Sequence, residues 1–236
     1  MADLPDEGRG NGAGGRGGGE RRLAARGGCE GPGVPTGAAE TGHEQDPPAP
    51  EPWPKVGAER VGEFRIFRVR RDFLRMPRTG DVLDRFVLEM PDWVNVVPVL
   101  PDGRLVLVEQ FRPGTGEITV EFPAGIIEPG EDPCAAGLRE LEEETGYRAE
   151  SCRLLGVVAP NPAIQDNRLA VVLASGCTAT GQRAFDEGED LVVRVVDRAD
   201  VERLIAAGRI THALTIVTWY LYTARSVGLG IETRDR

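Results

Sequence analysis

The sequence predicts an α+β fold, and three observations carry that prediction. Short apolar, β-branched runs outnumber helical segments; Pro and Gly punctuate them as turns; and only a few segments bear helix start and stop residues.

Residues 1 to about 55 stand apart from this pattern. "GRGNGAGGRGGGERRLAARGG" is Gly-rich with almost no large apolar side chains, and "EQDPPAPEPWP" follows with proline. Such a stretch buries too little surface to offset its ordering entropy, so it reads as a disordered tail. A transit peptide fits less well, because the segment has no serine and more acids than arginines.

Residues 56–92 read as N-terminal strands and residues 93–236 as the main domain, with the text becoming globular from Arg60. "EFRIFRVRRDF" and "DVLDRFVLEM" alternate partly and are separated by "MPRTG". "WVNVVPVL" and "RLVLVEQF" are apolar runs joined by "PDG", and "EITVEF" adds a strand. Beyond an acidic segment, "RLLGVVA", "RLAVVLAS" and "LVVRVVD" read as strands. "RADVERLIAAG" is a helix closed by Gly208, and "THALTIVTWYLYTARSVG" one opened by Thr211 and closed by Gly228.

Composition excludes several classes. The net charge of −10 argues against a nucleic-acid partner, since phosphate-backbone binding needs clustered bases. Cys29, Cys134, Cys152 and Cys177 are widely spaced without a CxxC pair, which fits a reducing compartment rather than a zinc site. No apolar run approaches the roughly 20 residues that span a bilayer. A cytoplasmic protein without membrane association is the expectation.

"GIIEPGEDPCAAGLRELEEETGY", residues 125–147, crowds seven carboxylates around one arginine, Arg139. Asp132 as N-cap, Pro133 at the first helical position and Gly146 as stop define a helix. At about 100° per residue, Cys134, Leu138 and Leu141 share one side, while Glu140 and Glu144 lie one turn apart on another beside Glu143. Like charges at that spacing cost a few tenths of a kcal/mol per pair, and acids near a helix C-terminus oppose the macrodipole. A solvated face and a site for a hard divalent cation, Mg²⁺ or Mn²⁺, are the two readings.

Spacing separates them. Gly125, Glu131, Arg139, Glu140, Leu141, Glu143, Glu144, Gly146 and Tyr147 match the pattern Gx5Ex7REUxEExGU, with U bulky and apolar, at every specified place. Its seven fixed residue types coincide by chance on the order of once in 10⁸ starting positions. The chain therefore resembles the Nudix hydrolases from about Arg60 to Arg225. The resemblance implies a mixed β-sheet sandwiched between helices, with the box as a loop–helix–loop. It also implies hydrolysis of a nucleoside diphosphate linked to another group. Residue by residue, it implies that Glu140, Glu143, Glu144 and the carbonyl of Ala124 serve a metal. Glu131 pairs with Arg139, and Gly125 and Gly146 shape the turns.

"VEQFR" at 108–112 and "VEFPAG" at 120–125 resemble the ADP-ribose pyrophosphatase branch, as does Pro162, fifteen positions after Tyr147. In that branch Arg112 would contact phosphate or terminal ribose and Glu121 would help hold substrate or metal; a surface arginine is the plain alternative. A downstream acid from "FDEGEDLVVRV" would act as catalytic base or reach a metal-bound water, Glu189 ahead of Glu187, against a polar hairpin loop. Members of the branch commonly pair as homodimers through N-terminal strands. Arg65, Arg68, Arg70 and Arg71 there would answer a diphosphate, against a charge-protected edge strand. The expected function is metal-dependent hydrolysis of ADP-ribose to AMP and ribose 5-phosphate. The alternatives are another nucleotide sugar, a dinucleotide, or a non-catalytic ADP-ribose-binding sensor.

Overall fold

The computed structural model of the protein describes residues 49–181 and 190–226. An N-terminal antiparallel sheet comprises β1 (Lys55–Glu63), β2 (Arg68–Arg75) and β3 (Val82–Glu89). "EFRIFRVRRDF" is not one strand. Its first residues form the turn between β1 and β2, where Phe64 N–H donates to Phe67 O at 2.9 Å and the two rings sit 4.8 Å apart. This turn uses neither Gly nor Pro, so nothing in its composition announced it, and β1 starts at Lys55 rather than near Arg60. Three of the four arginines singled out above are held by acids. Arg71 reaches Asp84 at 2.8 Å and Glu59 at 3.2 Å, Arg68 reaches Glu63 at 3.3 Å, and Arg70 reaches the buried Asp72 at 2.8 Å.

The central sheet has the strand order β12–β5–β4–β10–β9, where β4 is Trp93–Val99, β5 Leu105–Arg112, β9 Ser151–Val158, β10 Leu169–Ser175 and β12 Leu191–Val196. β4 and β10 run parallel and the other pairs antiparallel, so the sheet is mixed. β4 and β5 pair at Val99↔Leu105 and then separate. Pro98, which has no N–H to give, stands at the parting. Into the fork come β6 (Glu117–Glu121), paired with β5, and β7 (Ala124–Ile126), paired with β4. A small ladder joins β8 (Tyr147–Arg148) to β11 (Thr178–Ala179).

Side chains of β4 and β10 alternate between two cores, as period-2 geometry requires. Val94, Val96, Val172 and Ala174 pack under α1 (Pro133–Thr145) with Ala136 and Leu141. Val97, Leu169 and Val171 pack on the other face with Val201 of α2 (Arg198–Ala206) and with Trp219 and Leu221 of α3 (Ala213–Ser226). The sheet is thus covered on both sides, which is why its strands read as nearly continuous apolar runs. Each fully buried Val or Leu contributes about 1.5–3 kcal/mol. That outweighs the few tenths of a kcal/mol per pair by which the carboxylates of α1 repel one another.

Gly137 sets the closeness of α1 to the sheet, since a Cβ there would meet Val172 Cγ2 at 2.7 Å. The helix ends as its sequence predicts. Asp132 accepts from Cys134 N at 2.9 Å and Ala135 N at 3.1 Å, and Gly146 takes the left-handed conformation at φ 70°. α3 begins one residue later than expected. His212 O accepts from Ile216 N, so the cap position falls on His212 rather than Thr211. The tail up to residue 48, Gly228, Glu187 and Glu189 lie outside the described residues.

Candidate active site

The fork between β4 and β5 delivers the segment from Glu121 to Ile126 against α1. Glu144, on the first buried turn of the helix C-terminal half, is 4% exposed. A carboxylate so buried needs compensating partners, and the Ala124 N–H donates to its Oε2 at 3.1 Å. One turn earlier, the Glu140 carboxyl occupies the space beside Gly125. A Cβ on Gly125 would lie 1.9 Å from Glu140 Cδ. Glycine is required here for close approach rather than for an unusual φ. Two carboxylates therefore converge on the Ala124–Gly125 corner.

Arg139 organises the remaining acids of the box. Its guanidinium forks onto Glu131, with Nε to Oε1 and Nη2 to Oε2 each at 3.2 Å. Nη1 reaches Glu140 at 2.7 Å and Glu143 at 3.2 Å, and Nη2 also donates to Ile126 O at 2.9 Å. Glu131 in turn accepts from Glu128 N at 3.0 Å, tying the loop before the helix to the same cation. The Arg139 hydrogen bonds, above all, hold the Glu131 carboxyl below its ordinary range. The acidic run is thus partly neutralised from within, by one arginine reaching three carboxylates.

Among the described residues no three His, Cys, Asp or Glu side chains are already gathered as a ligand set. The donors at the corner nonetheless fit a hard divalent cation. They are oxygens, they carry two charges on adjacent helix turns, and the missing Cβ of Gly125 lets the Glu140 carboxyl lie directly against the 124–125 backbone.

A second cluster surrounds Glu121. Glu121, 1% exposed, accepts from Arg112 Nε at 2.9 Å and Nη2 at 2.8 Å, a two-point fork. The Thr119 hydroxyl donates to its Oε1, and His212 Nδ1 lies 3.0 Å from its Oε2. Burial alone would raise the Glu121 pKa, but the hydrogen bonds from Arg112, then His212 and Thr119, outweigh it. The carboxyl is held well below the usual range. Arg112, Glu121, Ala124, Gly125 and His212 all line one cavity of about 580 Å³, with Trp93 and the 113–115 turn on its rim.

The structure brings together Arg112, Glu121, Ala124, Gly125, Glu140 and Glu144, all singled out in the sequence. Glu143 is the most exposed of the box acids and faces Arg139. Pro162 sits in a turn closed by Asn161 O and Gln165 N at 2.8 Å, away from the cavity and against β3 through the Leu88–Gln165 bridge. Sequence reasoning missed His212. One signal was available, since it is one of two histidines in the chain and sits at a helix start.

A NUDIX domain model matches residues 91–216. The chain is 33% identical over 147 residues to the methanol dehydrogenase activator of Bacillus methanolicus, covering 61% of this chain and 79% of that one. It is 30% identical over 161 residues to the ADP-ribose pyrophosphatase of Bacillus subtilis (strain 168), covering 68% and 86%. A crystal structure of an ADP compounds hydrolase superposes with a TM-score of 0.68 at 24% identity, covering 78% of this chain and 99% of that one.

Proposed function

The chain belongs to the Nudix hydrolase family, and from that premise we propose that it hydrolyses the diphosphate linkage of ADP-ribose to AMP and ribose 5-phosphate. The observation that carries this reading is one cavity lined by Arg112, Glu121 and the Ala124–Gly125 backbone, with Glu140 and Glu144 set against that same backbone.

In the reaction a water oxygen bonds to one phosphorus and the bridging P–O bond breaks, leaving a phosphate monoester on each product. Glu140, Glu144 and the Ala124 carbonyl would hold Mg²⁺ or Mn²⁺, with Glu143 completing the acidic cluster. A divalent cation bound there supplies charge neutralisation at the phosphoryl oxygens and lowers the pKa of the attacking water. Arg112 supplies a fixed positive charge toward the diphosphate. Glu121 serves the substrate site by pointing that guanidinium, because its fork leaves Arg112 little rotational freedom. Arg139 and Glu131 hold the loop between α1 and β7, the strand that carries Gly125. Glu189, with Glu187 as its neighbour, is the proposed base. β12, which follows it in the sequence, starts at Leu191 opposite Gln110, close in sequence to Arg112.

We read the assembly as a homodimer formed through the N-terminal sheet. Val61, Phe64, Ile66 and Phe86 are more than half exposed on it, which an isolated monomer would leave in water. Sedimentation of the full chain checks this, and a single monomeric species would overturn it. No helix among the described residues is long and apolar enough to cross a membrane.

The deciding experiment is a substrate panel of ADP-ribose, other sugar nucleotides, diadenosine polyphosphates, NADH and oxidised nucleoside triphosphates, each with Mg²⁺ and with Mn²⁺. ADP-ribose should give the highest kcat/KM. A dinucleotide or triphosphate ahead of it would replace this reading.

A further inference from the structure

Four donor atoms surround the two oxygens of Glu121. Two belong to Arg112 and one to Thr119, all from the β5–β6 hairpin. The fourth is His212 Nδ1, which arrives from the segment ahead of α3 and lies 3.0 Å from Oε2. Arg112 already neutralises the carboxylate one for one, so charge balance does not call for a histidine.

The pairing does fix the ring. Nδ1 faces an ionised carboxylate and so carries its proton, because a lone pair there would meet negative charge. The nearby Thr215 hydroxyl, at 3.4 Å, can accept or donate to suit. In the neutral ring the other nitrogen, Nε2, is then an acceptor. The side chain lines the cavity and keeps about a third of its surface exposed.

An acceptor on this wall favours a donor from the ligand. Phosphate oxygens offer lone pairs and are served by Arg112 and the acidic corner. What flanks a diphosphate in a sugar nucleotide is a sugar, whose hydroxyls donate. We infer that His212 is a specificity-determining residue whose Nε2 accepts a hydrogen bond from a sugar hydroxyl next to the diphosphate, in the ring orientation set by Glu121. This rests on the proposed reading of the cavity as a nucleoside diphosphate sugar site. It selects sugar-linked diphosphates over those whose second group has no hydroxyl at that point.

Two variants separate contact from support. His212→Asn keeps a side-chain amide that can donate to Glu121 in place of Nδ1 but has no atom at Nε2; His212→Ala loses both. With ADP-ribose, both should raise KM about tenfold while kcat changes much less. Among analogues lacking one ribose hydroxyl, one should cost the wild type a similar factor and cost the variants nothing further. The chain has two histidines, His43 and His212, so ¹⁵N spectra of wild type and His212→Asn assign the ring. Nδ1 should be the protonated nitrogen, and the Nε2 signal should move when a non-hydrolysable ADP-ribose analogue binds.

Wild-type KM in His212→Asn would overturn the inference and leave His212 as a support for Glu121. A ring protonated at Nε2, alone or together with Nδ1, would overturn it as well. If the wild type cleaves no sugar nucleotide, the functional reading falls and this inference with it. Robust cleavage with an unchanged KM in both variants removes the inference alone.

Discussion

Gly125 and Glu140 share a space that cannot hold one more carbon: a Cβ on Gly125 would come within 1.9 Å of Glu140 Cδ and 2.1 Å of its Oε1. The carboxyl sits at the far end of a flexible side chain, so the protein can fold around an alanine by swinging Glu140 away. Gly125→Ala should therefore keep most of its thermal stability while losing the placement of one proposed ligand. A fall in turnover of about a hundredfold is expected. Titration calorimetry with Mn²⁺ should show weakened binding in parallel. Wild-type metal affinity in this variant would show that Glu140 need not stand beside the 124–125 backbone.

Glu144→Gln tests the second carboxylate. The amide keeps size and can still accept from the Ala124 N–H, seen at 3.1 Å, but removes the charge. Turnover should fall by at least about two orders of magnitude, roughly 3 kcal/mol in the barrier. The fold should survive, because one buried charge fewer relieves repulsion along α1. Near wild-type rates in both Glu144→Gln and Glu140→Gln would exclude these two as metal ligands.

The contrast between these residues and His212 shows what a sequence can carry. α1 was legible to the residue, because Asp132, Pro133 and Gly146 act locally and the box spacing is helical geometry written out. The apolar runs of β4 and β10 read as strands, while their cover on both faces was implied only by the family resemblance. β7 was not legible. Three residues, Ala124–Ile126, have no pattern of their own, and β4 makes them a strand after it parts from β5. The Glu121–His212 contact was equally hidden, since β6 and the start of α3 meet only once the fork has formed. The turn at Phe64 escaped for a different reason. Packing of two phenylalanines closes it, and no turn-forming residue does.

Glu121 also makes a prediction about acid stability. Its folded pKa is depressed, so the ionised form stabilises the fold above its ordinary value of 4.5, and that contribution is lost as pH falls through the folded pKa. Glu121→Gln removes the charge but keeps the shape. Near neutral pH the variant should be less stable by about 1.5–3 kcal/mol, the range for hydrogen bonds to a charged group. Denaturant unfolding repeated at successively lower pH should show the gap narrowing below the ordinary value. A gap that stays constant into strong acid would show that Glu121 is not the titrating partner of Arg112.

The proposed base gives the last test. Glu189 precedes β12, whose first residue pairs with Gln110 on the strand that ends in Arg112. A general base removes a proton from water, whereas a loop acid with a structural part does not. Glu189→Gln should thus lower kcat by about 10²–10⁴ while KM changes much less, since the loss falls on the transition state. Glu187→Gln should do less, and the reverse order would transfer the role to Glu187. Raising pH should partly rescue the deficient variant, because deprotonated water needs no acceptor. If both single variants and the double variant turn over like the wild type, the loop has no catalytic part. The base must then come from the box, where Glu143 is the first candidate. It is more exposed than Glu140 and is held by Arg139 through a single 3.2 Å contact, against 2.7 Å for Glu140.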